Sequence, residues 1–137
     1  MNIYEIFNKL RYHHEDEVVE FKKAENNFDF DDLGKYFSAL SNEANLRDKG
    51  FAWLVFGVHD KTREILGTSY KNSMKSLQKL KQDLSQHTTD NNTFRDIYEL
   101  EVEGKRVLPA RRQAPRPSLR KGLARKNATR LKSFQAP

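Results

Sequence analysis

Residues 51–58 read Phe-Ala-Trp-Leu-Val-Phe-Gly-Val, which is the strongest strand signal in the chain. Short apolar runs rich in β-branched and aromatic residues are typical of β-strands. Both alternating faces of this run are apolar, so we expect a central strand that is covered on both sides. A sheet built around residues 51–58 is therefore the first prediction for the fold.

Apolar side chains at helical spacing predict three helices around this strand. We expect them at about residues 2–11, from an Asp29 or Asp31 cap to a point before Gly50, and from an Asn72 or Ser73 cap to about Leu84. Further strands are predicted at residues 18–22, 64–68 and 94–102, with a hairpin turn at 103–105 that returns the chain into 106–108. The predicted fold is a single α+β domain, with about three helices packed on a central mixed β-sheet.

The charge is distributed very unevenly along the 137 residues. Nine of the 25 Lys and Arg side chains and none of the 19 Asp and Glu side chains lie in residues 109–137, together with all four prolines. Residues 1–108 therefore carry 16 basic against 19 acidic groups, a net charge of −3. We predict a folded domain at residues 1–108 and a disordered basic tail at residues 109–137.

Several classes of protein are excluded by what the chain lacks. The absence of Cys excludes a disulfide scaffold, a thiolate metal site and a cysteine nucleophile. No phosphate-binding G-x-x-x-x-G-K-[ST], no G-x-S-x-G and no Rossmann glycine pattern occurs. No apolar run approaches the roughly 20 residues that span a bilayer. We expect a cytoplasmic protein without membrane contact.

Four short motifs carry a resemblance to a known family. Residues 15–22 (EDEVVEFK) resemble the E-x-E-x-x-E-F-K opening of the Schlafen-type, Alba-like domain family. Residues 38–42 (SALSN), 53–60 (WLVFGVHD) and 65–68 (ILGT) resemble its helix end, its central strand and the element that follows. The chain departs from the family pattern at residues 43–50, a longer charged connection with a single glycine.

This resemblance implies a nucleic-acid-binding domain. Many bacterial members of the family are described as transcriptional regulators or helicase-like DNA-binding proteins, and many continue into an ATPase-like or winged-helix region. The resemblance therefore implies nucleic acid as the partner, with DNA ahead of RNA, and no cofactor. It leaves homo-oligomerisation open.

Some Schlafen-type proteins are metal-dependent ribonucleases, and the resemblance places their acidic positions at Glu15, Glu20 and Asp60. Three converging carboxylates can hold Mg²⁺ or Mn²⁺. Five residues of straight strand span roughly 16 Å, so convergence of Glu15 with Glu20 requires a bend. Glu20 lies between two apolar residues of a strand predicted to be largely buried. We expect it to have a partner, either a metal or, by preference, a lysine such as Lys22 or Lys35.

Basic side chains supply the candidates for phosphate contact. Lys71, Lys75 and Lys79 recur every four residues and form one stripe on a helix, which can neutralise phosphates or be an ordinary solvated face. The resemblance favours phosphate contact. The candidate nucleic-acid-binding residues are Lys22, Arg47, Lys49, Lys61, Arg63, Lys71, Lys75 and Lys79. The four histidines are expected to be surface imidazoles.

The sequence therefore favours a nucleic-acid-binding domain of a transcriptional regulator that contacts phosphates without sequence-selective base readout. The first alternative is the divalent-metal ribonuclease. The second is a protein-interaction module without nucleic-acid affinity, which the acidic domain makes plausible.

Overall fold

The computed structural model describes residues 2–12, 18–24, 28–47, 49, 51–88 and 93–113. Three helices and five strands follow one another along the chain. They are α1 (Ile3–Tyr12), β1 (Val18–Lys22), α2 (Phe30–Leu46), β2 (Phe51–Phe56), α3 (Met74–Gln86), β3 (Asp96–Ile97), β4 (Leu100–Val102) and β5 (Lys105–Gln113). The α+β domain with a mixed sheet is confirmed. None of the described helices is long and apolar enough to cross a bilayer.

The sheet is built around β2 and β5. β1 pairs with β2 in parallel, β5 pairs with β2 in antiparallel, and β3 and β4 both pair with the far side of β5. A two-residue turn joins β4 to β5, with φ of 54° at Glu103 and 74° at Gly104, as a tight hairpin requires. β2 is therefore central, as its two apolar faces predict.

A separate apolar cluster covers each face of the sheet. On one face, Leu54 and Phe56 of β2 pack with Leu33 and Phe37 of α2 and with the leucines of α3. On the other face, β2 packs against α1 through a smaller cluster, formed by Phe7, Leu10, Phe21, Trp53, Val55, Val58, Ile65, Leu100 and Val107. Burial of this apolar area on both faces is the main stabilising term of the fold.

The helices begin where the sequence supplies a capping side chain. The Oδ1 atom of Asp29 accepts a hydrogen bond from the backbone N–H of Asp31 at 3.0 Å, and Ser73 Oγ accepts one from that of Ser76 at 3.1 Å. These bonds satisfy N–H groups that a helix leaves unpaired in its first turn. α1 begins similarly, after Asn2, whose Oδ1 accepts from the N–H of Glu5.

The strand predicted at residues 64–68 is wrong. Only Ile65 pairs there, through a single bridge to Val58. The chain then leaves the sheet, because the guanidinium of Arg106 donates to the carbonyls of Thr68 at 3.1 Å, Tyr70 at 2.8 Å and Lys71 at 2.7 Å. Side-chain hydrogen bonds thus replace the strand pairing that the apolar residues indicated.

The predicted domain boundary at Leu108 differs from the structure. β5 continues to Gln113, and residues 109–113 pair with residues 51–55 of β2. Proline is tolerated in a strand only where its missing N–H removes no hydrogen bond between strands. From the sequence, Pro109 was therefore interpreted as the start of a tail. The remainder of the predicted disordered tail, residues 114–137, lies outside the described residues.

Candidate nucleic-acid interface

The candidate site lies at the carboxyl ends of the parallel strands β1 and β2. Lys22 ends β1, and its carbonyl accepts a hydrogen bond from the N–H of Gly57 at 2.8 Å, so the two strand ends are held side by side. A cleft of about 310 Å³ opens beside them, lined by Phe21, Lys22, Lys23, His59 and Asp60. Ligands of open sheets commonly bind outside the carboxyl ends of parallel strands.

The turn at residues 59–64 forms one wall of this cleft and is capped by an imidazole. His59 Nδ1 accepts hydrogen bonds from the backbone N–H groups of Lys61 at 3.1 Å and Thr62 at 3.2 Å. A nitrogen that accepts N–H bonds carries its lone pair, so the ring proton lies on Nε2. The 3.5 Å approach of Nδ1 to Asp60 Oδ1 is therefore not an ion pair in this state. His59 holds the turn and leaves one N–H donor at the cleft.

Arg63 is held at the cleft in an unusual backbone conformation. Its φ is 63°, a left-handed value that is costly for a residue with a side chain. Arg11 Nε, from the end of α1, donates to the carbonyl of Arg63 at 2.8 Å. The Arg63 guanidinium lies 4.2 Å from the centre of the Phe21 ring and donates to the carbonyl of Asp60. These contacts fix a cation beside an apolar cleft wall.

Lys22 and Glu20 form the ion pair that was preferred from the sequence, at 3.2 Å between Nζ and Oε1. Lys22 Nζ also lies 4.1 Å from the centre of the Tyr36 ring on α2. The prediction that Glu20 is largely buried is wrong, since its side chain is 47% exposed. Among the described strands β1 pairs only with β2, so it lies at an edge of the sheet where a polar side chain can reach the solvent.

Lys71 belongs to the same edge although it is far from β1 in sequence. Thr68 Oγ1 donates to the carbonyl of Ala24, which ties the segment before α3 to the end of β1. The neighbouring Tyr70 ring packs 5.5 Å from that of Phe56. Burial, aided by the charge of Asp29, raises the pKa of Tyr70 to about 12, so its ring stays neutral. Lys71 itself is exposed.

Six basic side chains thus surround the strand ends, and we name them the carboxyl-edge surface: Arg11, Lys22, Lys23, Lys61, Arg63 and Lys71. Among the described residues, four carboxylates accompany them, Glu20, Asp29, Asp60 and Glu64, of which Glu20 is paired with Lys22. The surface is therefore net positive on a domain that is net negative. A local concentration of cations on a sheet edge can bind a chain of phosphates.

The other predicted basic residues lie elsewhere. Arg47 caps the carboxyl end of α2 and pairs with Glu43 at 3.8 Å, and Lys49 follows it before β2 begins. The cleft is at the opposite end of β2, and six residues of strand separate the two ends by roughly 20 Å. Lys75 and Lys79 are exposed on α3, with Lys79 paired to Asp83 at 3.6 Å, and Lys75 lies in the first turn, which follows Lys71.

The three predicted acidic positions do not assemble into a metal site in the part of the chain that is described. Glu15 lies outside the described residues. Glu20 is paired with Lys22 and is not among the described residues that line the cleft with Asp60. The described ranges contain no group of three or more His, Asp or Glu that could hold a metal ion. The placement of Glu15, Glu20 and Asp60 around a shared divalent cation therefore stays a prediction.

Two other cavities are less suited to a polyanion. One, of about 530 Å³, is lined by α3 and Thr93 and contains one lysine among amides and hydroxyls. The other, of about 430 Å³, carries Glu99 and Glu101 beside Arg106. Carboxylates at its mouth oppose the entry of phosphate groups.

Sequence reasoning missed Arg11, Lys23 and the role of His59. Lys23 directly follows the predicted motif residue Lys22, so its position at the strand end could have been recognised. Arg11 and His59 gave no such signal, because the contact of Arg11 with Arg63 joins residues 52 positions apart. Its neighbour Tyr12, which is 62% exposed, was missed for the same reason.

Comparisons with known proteins agree with this geometry. A family model described as Schlafen, AlbA_2 matches residues 15–129, which include both strands of the cleft. The crystal structure of the DIP2311 protein from Corynebacterium diphtheriae has a similar fold, with a TM-score of 0.51 and 22% identity over 73% of this chain. The similar region spans 18% of that chain. No curated protein matches significantly. Since the family model covers most of the residues, the chain belongs to the Schlafen, AlbA_2 family.

Proposed function

We propose that this protein binds nucleic acid through the carboxyl-edge surface. The observation that carries the proposal is the position of Lys22 and Lys23 in the lining of one cleft at the ends of two parallel strands, with Lys61 and Arg63 in the turn that follows the lining residue Asp60. Membership of the Schlafen, AlbA_2 family supports a nucleic-acid-binding domain independently of this geometry. The two lines of argument agree on the class of ligand.

The contacts in this proposal are mainly to phosphates. Lys23 and Lys61 are exposed, so their ammonium groups can follow a flexible backbone. Arg63 is more constrained, because its guanidinium stacks on Phe21 and its backbone carbonyl accepts a hydrogen bond from Arg11. The first turn of α3 adds Lys75 and the positive end of the helix dipole next to Lys71. Such a surface binds nucleic acids by charge and is weakened by salt.

The finer parts of the proposal come from the family resemblance. We propose DNA ahead of RNA as the physiological partner, and a role in a transcriptional regulator. Phosphate contacts do not distinguish DNA from RNA, because the two differ in the 2′-OH group and the bases and not in the phosphates.

A salt titration tests the proposal. We would measure the affinity of the full-length chain for labelled single-stranded and duplex DNA by fluorescence anisotropy at several salt concentrations. Each lost phosphate contact reduces the slope of log affinity against log salt by about 0.7 to 0.9. The double variant Lys61→Ala/Arg63→Gly should therefore lower the slope by about 1.4 to 1.8. Glycine accepts the left-handed backbone at position 63 without strain.

The matched control removes two cations from the opposite end of β2, in the variant Arg47→Ala/Lys49→Ala. Its slope should equal that of the wild type. An equal loss in both variants, or no loss in the first, contradicts the proposal. Residues 114–137 are the same in every variant. If binding depends only on their charge, the Lys61→Ala/Arg63→Gly variant will show no loss of slope.

The same samples also bear on the ribonuclease alternative. RNA cleavage that requires Mn²⁺ and disappears in Glu20→Ala would favour that activity over simple binding. Absence of both binding and cleavage in the wild type would leave the protein-interaction module as the better interpretation.

A further inference from the structure

The cleft of the carboxyl-edge surface contains a carboxylate, which a pure phosphate site would not use. The side chain of Asp60 is 53% exposed and lines the cleft beside Lys22 and Lys23. A phosphate placed there would meet a negative charge at close range, and like charges repel strongly in a partly enclosed site. The basic side chains therefore surround a carboxylate that is suited to contact the base of a nucleotide and not its phosphate.

A nucleobase edge fits this arrangement. The Asp60 carboxylate accepts hydrogen bonds, and His59 lines the same cleft beside it. The adjacent N–H and amino groups of guanine match a carboxylate through two parallel hydrogen bonds. Phe21 also lines the cleft, where its ring is buried beneath the Arg63 guanidinium. These edges are occupied in a duplex and free in a single strand.

An aromatic side chain that is open to solvent is linked through Arg11 to the turn that follows Asp60. Tyr12 is 62% exposed at the end of α1, and the guanidinium of Arg11 lies 5.0 Å from its ring centre. Arg11 is bonded to the carbonyl of Arg63, whose own guanidinium lies over Phe21. Tyr12 is thus connected to the cleft through two cation–π pairs. Exposed rings beside basic grooves are the usual stacking platforms for unpaired bases.

We propose that the carboxyl-edge surface binds single-stranded nucleic acid, with one unpaired base, preferably guanine, in the cleft against Asp60 and a neighbouring base stacked on Tyr12. This inference rests on the proposed function and deepens it. The lysines neutralise the phosphates around the cleft, while Asp60 reads the base inside it.

The first test uses two carboxylates of the same turn. A dT strand of about 12 nucleotides with one central dG should bind the wild type at least about 5-fold more tightly than the dT strand alone, as a bidentate base contact provides. Asp60→Asn should abolish this preference, so that the two strands bind with similar affinity. The matched control Glu64→Gln, which removes an exposed charge outside the cleft lining, should retain the preference.

The second test concerns stacking. Tyr12→Ala should weaken single-strand binding by about 5- to 100-fold and affect duplex binding much less. The control Tyr4→Ala removes a ring that is 47% exposed on the same helix, at the cavity of Glu99 and Glu101, and should change neither affinity.

The outcomes separate this inference from the proposed function. The inference is supported if Asp60→Asn loses the preference for dG and the wild type binds single strands more tightly than duplexes. Equal affinity for single strand and duplex, or the same behaviour of Asp60→Asn and Glu64→Gln, overturns it while leaving nucleic-acid binding intact. If neither form of DNA binds, the proposed function itself fails.

Discussion

Arg112 is the most unusual residue of the described core. Its side chain is fully buried in β5, where it makes one long hydrogen bond, 3.4 Å from Nη1 to Asn45 Oδ1. Its Nε and Nη2 atoms have no hydrogen-bond partner among the described residues. Burial lowers the pKa of Arg112 to about 10, because the charged form loses its hydration. A buried and incompletely paired charge opposes folding.

We expect Arg112→Met to raise the free energy of unfolding by about 1–2 kcal/mol, since methionine fills the space without the cost of desolvating a charge. Urea unfolding followed by circular dichroism measures the change.

Its neighbour Arg111 is the matched control. Arg111 pairs with Asp96 at 2.5 Å and lies within 6 Å of the ring centres of Phe51, Trp53 and Tyr98. Arg111→Met should lower the free energy of unfolding by about 1–3 kcal/mol. Destabilisation of similar size in both variants would show that the Arg112 charge is compensated.

At the scale of helices and strands, the loop between β2 and α3 depends on one glycine. Gly57 has a φ of 97°, and its carbonyl accepts the N–H groups of Leu66 and Gly67. A Cβ atom at this position would lie 3.0 Å from the carbonyl oxygen of Arg106 and 3.3 Å from the backbone of Gly67. The loop that presents the cleft turn therefore closes tightly on β5 at a point where only glycine fits.

We predict that Gly57→Ala lowers the free energy of unfolding by about 2–4 kcal/mol, through left-handed strain and contact with backbone that cannot move aside. Gly104→Ala is the control, because φ is 74° there but a Cβ would meet nothing within 4 Å. Its cost should be about 1 kcal/mol. Equal costs in thermal or urea unfolding would mean that the contact with Arg106 is readily relieved.

At the scale of the whole molecule, the two apolar clusters depend on one pair of central strands. β2 contributes side chains to both clusters, and β5 covers the whole length of β2 on one side. Residues 109–113 supply five of the six residues of β5 that pair with β2. From the sequence, they were interpreted as the beginning of a charged tail.

A chain that ends at Leu108 should consequently fail to fold, whereas one that ends at Gln113 keeps every described strand and should remain folded. Loss of the β5 pairing would leave β2 with a single neighbour and open both clusters to water. The dispersion of amide signals in two-dimensional NMR spectra distinguishes the two states. A dispersed spectrum for the shorter chain would contradict this account of the core.

The charge of the molecule also has its meaning at this scale. The net charge of residues 1–108 is negative, and by itself it argues against a polyanionic ligand. Folding brings cations from α1, β1, the turn at residues 59–64 and the segment before α3 to one edge. Binding of phosphates depends on this local density and not on the sum over the chain.

The sequence by itself determined the features that depend on neighbours along the chain. The central strand, the three helices and the hairpin turn at residues 103–105 were all predictable, as were caps at Asp29 or Asp31 and at Asn72 or Ser73 and a lysine partner for Glu20. Their causes are local: side-chain periodicity, capping hydrogen bonds, turn geometry and the spacing of two residues on one face of a strand.

The tertiary structure alone decided which distant residues meet. It placed Glu20 on the exposed side of an edge strand, buried Arg112 in a run of basic residues, and separated Arg47 and Lys49 from the cleft. It also joined Arg11 to Arg63. Strand order and register follow from packing both faces of β2 at once, and no local pattern encodes that choice.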